Sequence, residues 1–300
     1  MQEEVRFAPK EVYLVMTGFN QKTKIVPIIA VIAIGIGFSV YFFEGEAQLE
    51  TYDGPPRAVI IDQLYDDMPN EEFHIKATEY LETAGYVVDI VTTQDVTVDF
   101  YKNLPNMNYK YVVVRTHGAE NTNNVVLFTG EKYSEEQYIQ EQLFGQVTKA
   151  APLLETSFLV NEDNSSSEWV IVNASFRYLT TPVDRVNNIA NEYFAILPKL
   201  ISGAMNGKFD DTVFILGGCN TLSNPSLADA LIERGASAVI GWDNTVGSRD
   251  NDFATLQYLE DVFSNEIEMK DAVELISSYY LVPGYMPYPA TFTLYSGPNI

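Results

Sequence analysis

This chain of 300 residues holds one cysteine and two histidines. Two of those three side chains close apolar runs. His117 ends Tyr-Val-Val-Val-Arg-Thr-His-Gly (111–118), and Cys219 ends Val-Phe-Ile-Leu-Gly-Gly-Cys-Asn (213–220). Each run is β-branched and aromatic and reads as a buried strand. Each residue is therefore delivered at a strand's carboxyl end, where open α/β sheets build their sites. A thiol and an imidazole side by side make a thiolate nucleophile at neutral pH. A lone cysteine is more often a small buried hydrophobe, and a lone histidine at a strand end is more often structural. The joint order and the flanking glycines favour chemistry over both readings. The other histidine, His74, lies beside the apolar stripe of a helix and reads as a partly exposed surface residue.

Delivering both groups to one place requires a parallel sheet. Arg57–Asp62 reads as strand 1, Tyr86–Val91 as strand 2 and Tyr109–Arg115 as strand 3, which presents His117. Between strands 1 and 2, Asn70–Ala84 sets Phe73, Ala77, Tyr80, Leu81 and Ala84 on one helical face, with Gly85 as the stop. Thr97–Leu104 is a short helix that Pro105-Asn106 breaks. Thr212–Leu216 is strand 4, presenting Cys219, and Ala236–Gly241 is strand 5, ending in Gly241-Trp242-Asp243-Asn244. Helices are expected over Pro225–Arg234, Asn251–Phe263 and Met269–Ser278, and a final edge strand over the tail from Tyr288 to Gly297. This alternation implies a parallel sheet covered on both faces. The middle is less regular. Asn124–Thr129 and Glu168–Ser175 read as strands, the first able to open a hairpin just after His117. Arg185–Met205 reads as a helix, kinked or broken at Pro198.

Ahead of this body, Ile25–Phe43 runs 19 residues without a charge. That is long enough to span roughly 30 Å of hydrocarbon as a helix. The run ends in Tyr41-Phe42-Phe43-Glu44, which suits an interfacial aromatic belt better than signal cleavage; Ala47 offers a weaker cut site. Lys22 and Lys24 precede it and Glu44, Glu46, Glu50 and Asp53 follow, so the positive-inside rule puts the body outside the cell membrane and the N-terminus in the cytoplasm. The expected organisation is a cytoplasmic segment 1–24 (starting at Met1 or Met16), an anchor 25–43, a polar linker 44–56 and an α/β domain 57–300. The net charge of −23 argues against nucleic acid as a partner, and 46% apolar content supports a full core. A single cysteine excludes an intramolecular disulfide and any Cys-rich zinc site. Calcium on Asp250, Asp252 or Asp210–Asp211 is chemically conceivable, but no Asp-x-Asp-x-Asp-Gly loop supports it, and no cofactor is required.

Chain order narrows the chemistry. Papain-like enzymes, α/β-hydrolases and class I amidotransferases place the nucleophile before the histidine. Here no histidine follows Cys219, and Gly217-Gly-Cys-Asn-Thr221 lacks the closing glycine of a nucleophile elbow. A Cys-x5-Arg phosphatase loop would need arginine where Pro225 stands. His117-Gly118 and Gly217-Gly218-Cys219, followed by the Leu227–Trp242 run with its Gly235-Ala236 turn, resemble the caspase-like cysteine peptidases of clan CD, closest to the CHAT, gingipain and clostripain branches. The specific matching covers about 111–120 and 213–245.

The resemblance implies a three-layer α/β/α sandwich with a mostly parallel six-stranded sheet of order 2-1-3-4-5-6, the sixth strand antiparallel. It implies a His117–Cys219 dyad that hydrolyses a peptide or protein substrate through a thioacyl-enzyme. It further implies that the N–H groups of Gly118 and Cys219 serve as oxyanion donors. Asp62, at the end of strand 1, is a candidate to orient His117. Trp242, Asp243 and Asn244 are candidates to line the pocket for the residue before the cut bond, where Asp243 would suit Arg or Lys. The competing reading is a catalytically inactive caspase-like module for extracytoplasmic binding or surface assembly. A flavodoxin-like nucleotide binder ranks last, because the turn Asp62-Gln-Leu-Tyr-Asp-Asp-Met-Pro69 has no glycine and repels phosphate.

Overall fold

The computed structural model of the chain describes residues 54–121, 124–151, 192–279 and 289–297. The chain divides into the units Met1–Asp53 and Gly54–Ile300, and the described residues belong to the second. The anchor expected at 25–43, the linker up to residue 53 and the strand expected at Glu168–Ser175 lie outside the described residues. Among the described residues, no helix is long and apolar enough to cross a membrane.

The central feature is a six-stranded sheet built from β1 (Arg57–Asp62), β2 (Val87–Thr92), β3 (Tyr109–Arg115), β8 (Thr212–Gly217), β9 (Ala236–Trp242) and β10 (Phe292–Ser296). Their order is β10-β9-β8-β3-β1-β2. Every pairing is parallel except that of β10 with β9. The order expected from the resemblance, 2-1-3-4-5-6 with an antiparallel last strand, is the order observed.

The central strands β1, β3, β8 and β9 are buried on both faces, which is why they read as nearly continuous apolar runs. On one face, Val59, Ile61, Val112, Val114, Phe214, Leu216 and Val239 pack against α2 (Val98–Asn103), α4 (Pro198–Ala204) and α5 (Ser226–Glu233). On the other, Ile60, Val113, Ile215 and Ile240 meet α1 (Glu71–Thr83), α6 (Ser248–Phe263) and α7 (Met269–Tyr279). Each such side chain contributes about 1.5–3 kcal/mol by leaving water. Local signals set the boundaries. The Asn70 side chain accepts from the Phe73 N–H at the start of α1, and Thr97 does the same for Phe100 in α2. Gly85, at φ +90°, follows the end of α1.

A second, antiparallel sheet lies between β3 and β8 in sequence. It comprises β4 (Gly118–Asn121), β5 (Asn124–Lys132), β6 (Val147–Ala150) and β7 (Tyr193–Ile196), in the order β4-β5-β7-β6. A short helix, α3 (Ile139–Leu143), precedes β6. The hairpin expected just after His117 is present as β4–β5. The helix expected over Arg185–Met205 is not: Tyr193–Ile196 is strand and the helix is confined to Pro198–Ala204, residues 185–191 lying outside the described set. Proline lacks an N–H and has φ suited to a first helical turn, so Pro198 starts the helix instead of kinking it. All four residues of β7 are buried between β5 and β6, a demand that overrides their helical spacing.

Candidate active site

β3 and β8 are neighbours, with Arg115 opposite Gly217. The Thr116 N–H donates to the Gly217 carbonyl at 2.9 Å, carrying the ladder one residue past the strand end. The two segments beyond it touch backbone to backbone. A Cβ on Gly118 would sit 2.4 Å from the Cys219 carbonyl oxygen and 3.3 Å from the Cys219 nitrogen. A Cβ on Gly218 would sit 2.6 Å from the Thr116 oxygen and 3.3 Å from the Gly118 nitrogen. Neither position has room for a side chain. Their first requirement is the close approach of the two site segments to each other.

The main chain of His117 is fixed on both sides. Its N–H donates to Gln63 Oε1 at 3.0 Å, and its carbonyl accepts from the Phe128 N–H at 3.1 Å. The imidazole meets the Phe128 ring edge-on, centroids 5.6 Å apart. The 117–128 bond leaves Gly118, opposite Leu127, at a non-hydrogen-bonded position of the hairpin. Its N–H therefore points away from β5, on the side where Gly218 approaches. Burial, with a smaller push from the Arg115 charge, lowers the His117 imidazole to about 4. It is neutral at pH 7.

Cys219 is half-buried, and its Sγ–H donates to the Val246 carbonyl at 3.3 Å. Burial pushes its thiol above the usual range, against smaller opposite pulls from main-chain groups of Val246 and of Cys219 itself. This direction runs against the resting thiolate expected from the sequence. In this environment both members favour their neutral forms, because a low-dielectric pocket penalises each charge. The segment after Cys219 is pinned to the loop after β9: the Asn220 N–H donates to the Asn244 carbonyl at 3.0 Å, and the Leu222 N–H to the Trp242 carbonyl at 2.8 Å. Asn220 adopts φ +57°, which asparagine tolerates better than most residues.

The three pocket candidates separate. Asp243 is exposed, its carboxylate accepting from the Thr291 N–H at 2.7 Å. Asn244 is partly exposed and contacts the Cys219 loop through its carbonyl. Trp242 is not a lining residue. It is 0% exposed, its indole N–H donates to Asn251 Oδ1 at 2.9 Å, and it packs against Phe292. The alternation of β9 sends Trp242 into the core on the α6–α7 side.

Asp62 also has a different role from the one expected. Its carboxylate accepts from Arg115 Nη1 at 3.0 Å, from the Leu64 N–H at 2.9 Å and lies 2.8 Å from His74 Nε2. Arg115 in turn donates from Nε to Asp252 Oδ1 at 2.7 Å and from Nη2 to the Met68 carbonyl at 2.7 Å. Asn70 completes the set, donating to Asp252 at 2.8 Å. This buried cluster ties β1, β3, α1 and α6 together. It moves His74 from the surface to a buried position, against the Asp62 carboxylate and stacked on Tyr65, and it occupies Asp252, one of the carboxylates weighed for calcium. Among the described residues no group of His, Cys, Asp and Glu is placed to hold a metal ion.

Sequence reasoning missed Gln63, Arg115 and Phe128. A signal for Arg115 existed: it and Asp62 both end apolar strands, a cation and an anion at like positions, and they fall opposite each other in the register. Gln63 carried no such signal. The chain matches no protein-family model and no curated protein. The functional reading therefore rests on the site.

Proposed function

We propose that the chain is a membrane-anchored cysteine endopeptidase of caspase-like, three-layer architecture, acting through a His117–Cys219 dyad. The observation that carries this reading is the backbone contact between Gly118 and Cys219 at the like ends of adjacent parallel strands. Two segments bearing a thiol and an imidazole converge there, beside two main-chain N–H groups.

In the proposed reaction the Cys219 S–H proton passes to the neutral imidazole as sulfur attacks the scissile carbonyl carbon. The oxyanion that forms is met by the N–H groups of Gly118 and Cys219; one such donor is typically worth about 3–4 kcal/mol in the transition state. The amine leaves with the proton held by His117, and the thioester remains. Water then gives its proton to His117, adds to the thioester carbonyl and releases the acid, returning the thiol. A neutral starting pair suits this sequence, since the imidazole must first accept a proton.

The contact of Sγ with the Val246 carbonyl favours a second reading, an inactive binding or surface-assembly module of the same architecture. A peptidyl acyloxymethyl ketone applied to the full chain in detergent micelles separates the two. The peptidase reading expects labelling that is abolished in Cys219→Ala and slowed in His117→Ala, both folded by circular dichroism. Equal labelling of His117→Ala and the parent would leave only an accessible thiol. For the anchor, protease applied to intact cells should release the part beyond about residue 50, following the positive-inside rule. Complete protection would reverse the orientation.

A further inference from the structure

We infer that Gln63 is the positioning residue of the dyad, holding His117 through the peptide that carries it; the inference rests on the peptidase reading above. Gln63 is fully buried at the end of β1. Its main chain is tied on both sides, the N–H donating to the Arg115 carbonyl at 2.9 Å and the carbonyl accepting from Thr93 Oγ1 at 3.4 Å. The side chain turns to β3, where Oε1 accepts from the His117 N–H at 3.0 Å and from Thr116 Oγ1 at 3.2 Å.

The register explains the need. The β1–β3 pairing ends at Asp62 opposite Arg115. Beyond it the Gln63 carbonyl accepts from Thr93 Oγ1, and the carboxamide oxygen of the same residue takes the His117 N–H in its place. Its orientation is forced, because exchanging oxygen and nitrogen would set an N–H against the His117 N–H. The consequence is a buried Nε2 with no hydrogen-bond partner among the described residues. A leucine of similar size would fill the space without that unmet donor. What leucine lacks is the acceptor that fixes the Thr116–His117 peptide. It places the His117 Cα, from which the imidazole leaves the chain and the next peptide, bearing the Gly118 N–H, begins. Loss of the clamp therefore displaces the base and one oxyanion donor together, and small displacements of reacting groups are costly in rate.

Three variants of the full chain test this: Gln63→Leu, Gln63→Glu and His117→Ala. Each is assayed for the acyloxymethyl ketone labelling rate and its dependence on probe concentration, and the first two also for the His117 imidazole NMR titration. Gln63→Leu should label at least about tenfold more slowly at saturating probe, with the half-saturating concentration little changed. Gln63→Glu keeps an oxygen acceptor and should recover most of the rate. It also sets a carboxylate beside the His117 peptide, so the imidazole midpoint should rise. A Gln63→Leu that labels like the parent, while His117→Ala is slow, overturns the role of Gln63 and leaves the dyad standing. Should His117→Ala label like the parent, the dyad itself fails and the role of Gln63 with it. If Gln63→Leu does not fold, Gln63→Glu decides: an unmoved His117 midpoint overturns the proposal.

Discussion

Lowering the pH from 7 to 4.5 should weaken the parent fold by about 2 kcal/mol more than it weakens the His117→Asn variant. The reasoning starts from the imidazole. His117 has an ordinary value of 6.5 in the unfolded chain and about 4 in the folded one, lowered first by burial and then by the Arg115 charge. A depressed base means that the unfolded state binds the proton first. The stability tied to the neutral ring is present in full above 6.5, is lost progressively as pH falls from 6.5 toward 4, and changes no further below that. At 1.36 kcal/mol for each pH unit the full difference is about 3 kcal/mol, of which about 2 is expressed by pH 4.5. Guanidinium unfolding at the two pH values measures it, and the carboxylates common to both proteins cancel in the comparison. Imidazole Cε1–Hε1 correlations give the midpoint directly. The chain has two histidines, and the signal lost in His117→Asn assigns itself. A His117 midpoint at or above 6.5, as for a solvated ring or one paired with a thiolate, would refute the argument.

Three other outcomes are expected. Gly118→Ala would press a methyl group to 2.4 Å from the Cys219 carbonyl oxygen; it should cost about 1–3 kcal/mol by denaturant unfolding and slow thiol labelling as well. Arg115→Met removes the cation between the buried Asp62 and Asp252 carboxylates; it should cost about 3–5 kcal/mol, measured by the same unfolding, with Asp252→Asn recovering part of the loss in the double variant. Asp243→Asn keeps the oxygen that accepts from Thr291 but drops the charge, so any preference for Arg or Lys before the cut bond should weaken about fivefold, read from paired basic and norleucine probes.

β1 and β3 begin and end where their apolar runs do, at Arg57–Asp62 and Tyr109–Arg115, because a strand buried on both faces leaves an unbroken hydrophobic signature. The helix over Glu71–Thr83 was readable from its stripe and its glycine stop. Tyr193–Ile196 was not readable as strand, since four apolar residues just before a helix continue a helical stripe equally well. Partners on β5 and β6, far off in sequence, decided it. Trp242 stands next to a loop in sequence and reads as a lining residue, yet the side of the sheet it takes is a matter of pleat and packing.

The chemical inventory belongs to the sequence by itself: one thiol, one imidazole at a strand end, glycines beside each, and strands able to carry them. Composition and periodicity act locally, so they suffice for that much. Only the tertiary structure decided what each group meets. Gln63, not Asp62, took the His117 peptide, while Asp62 turned to Arg115 and His74. It also decided which charge states are favoured, since burial of the ring and the thiol depends on every element packed around them. Partner choice and desolvation are sums over distant segments, and no window of sequence contains them.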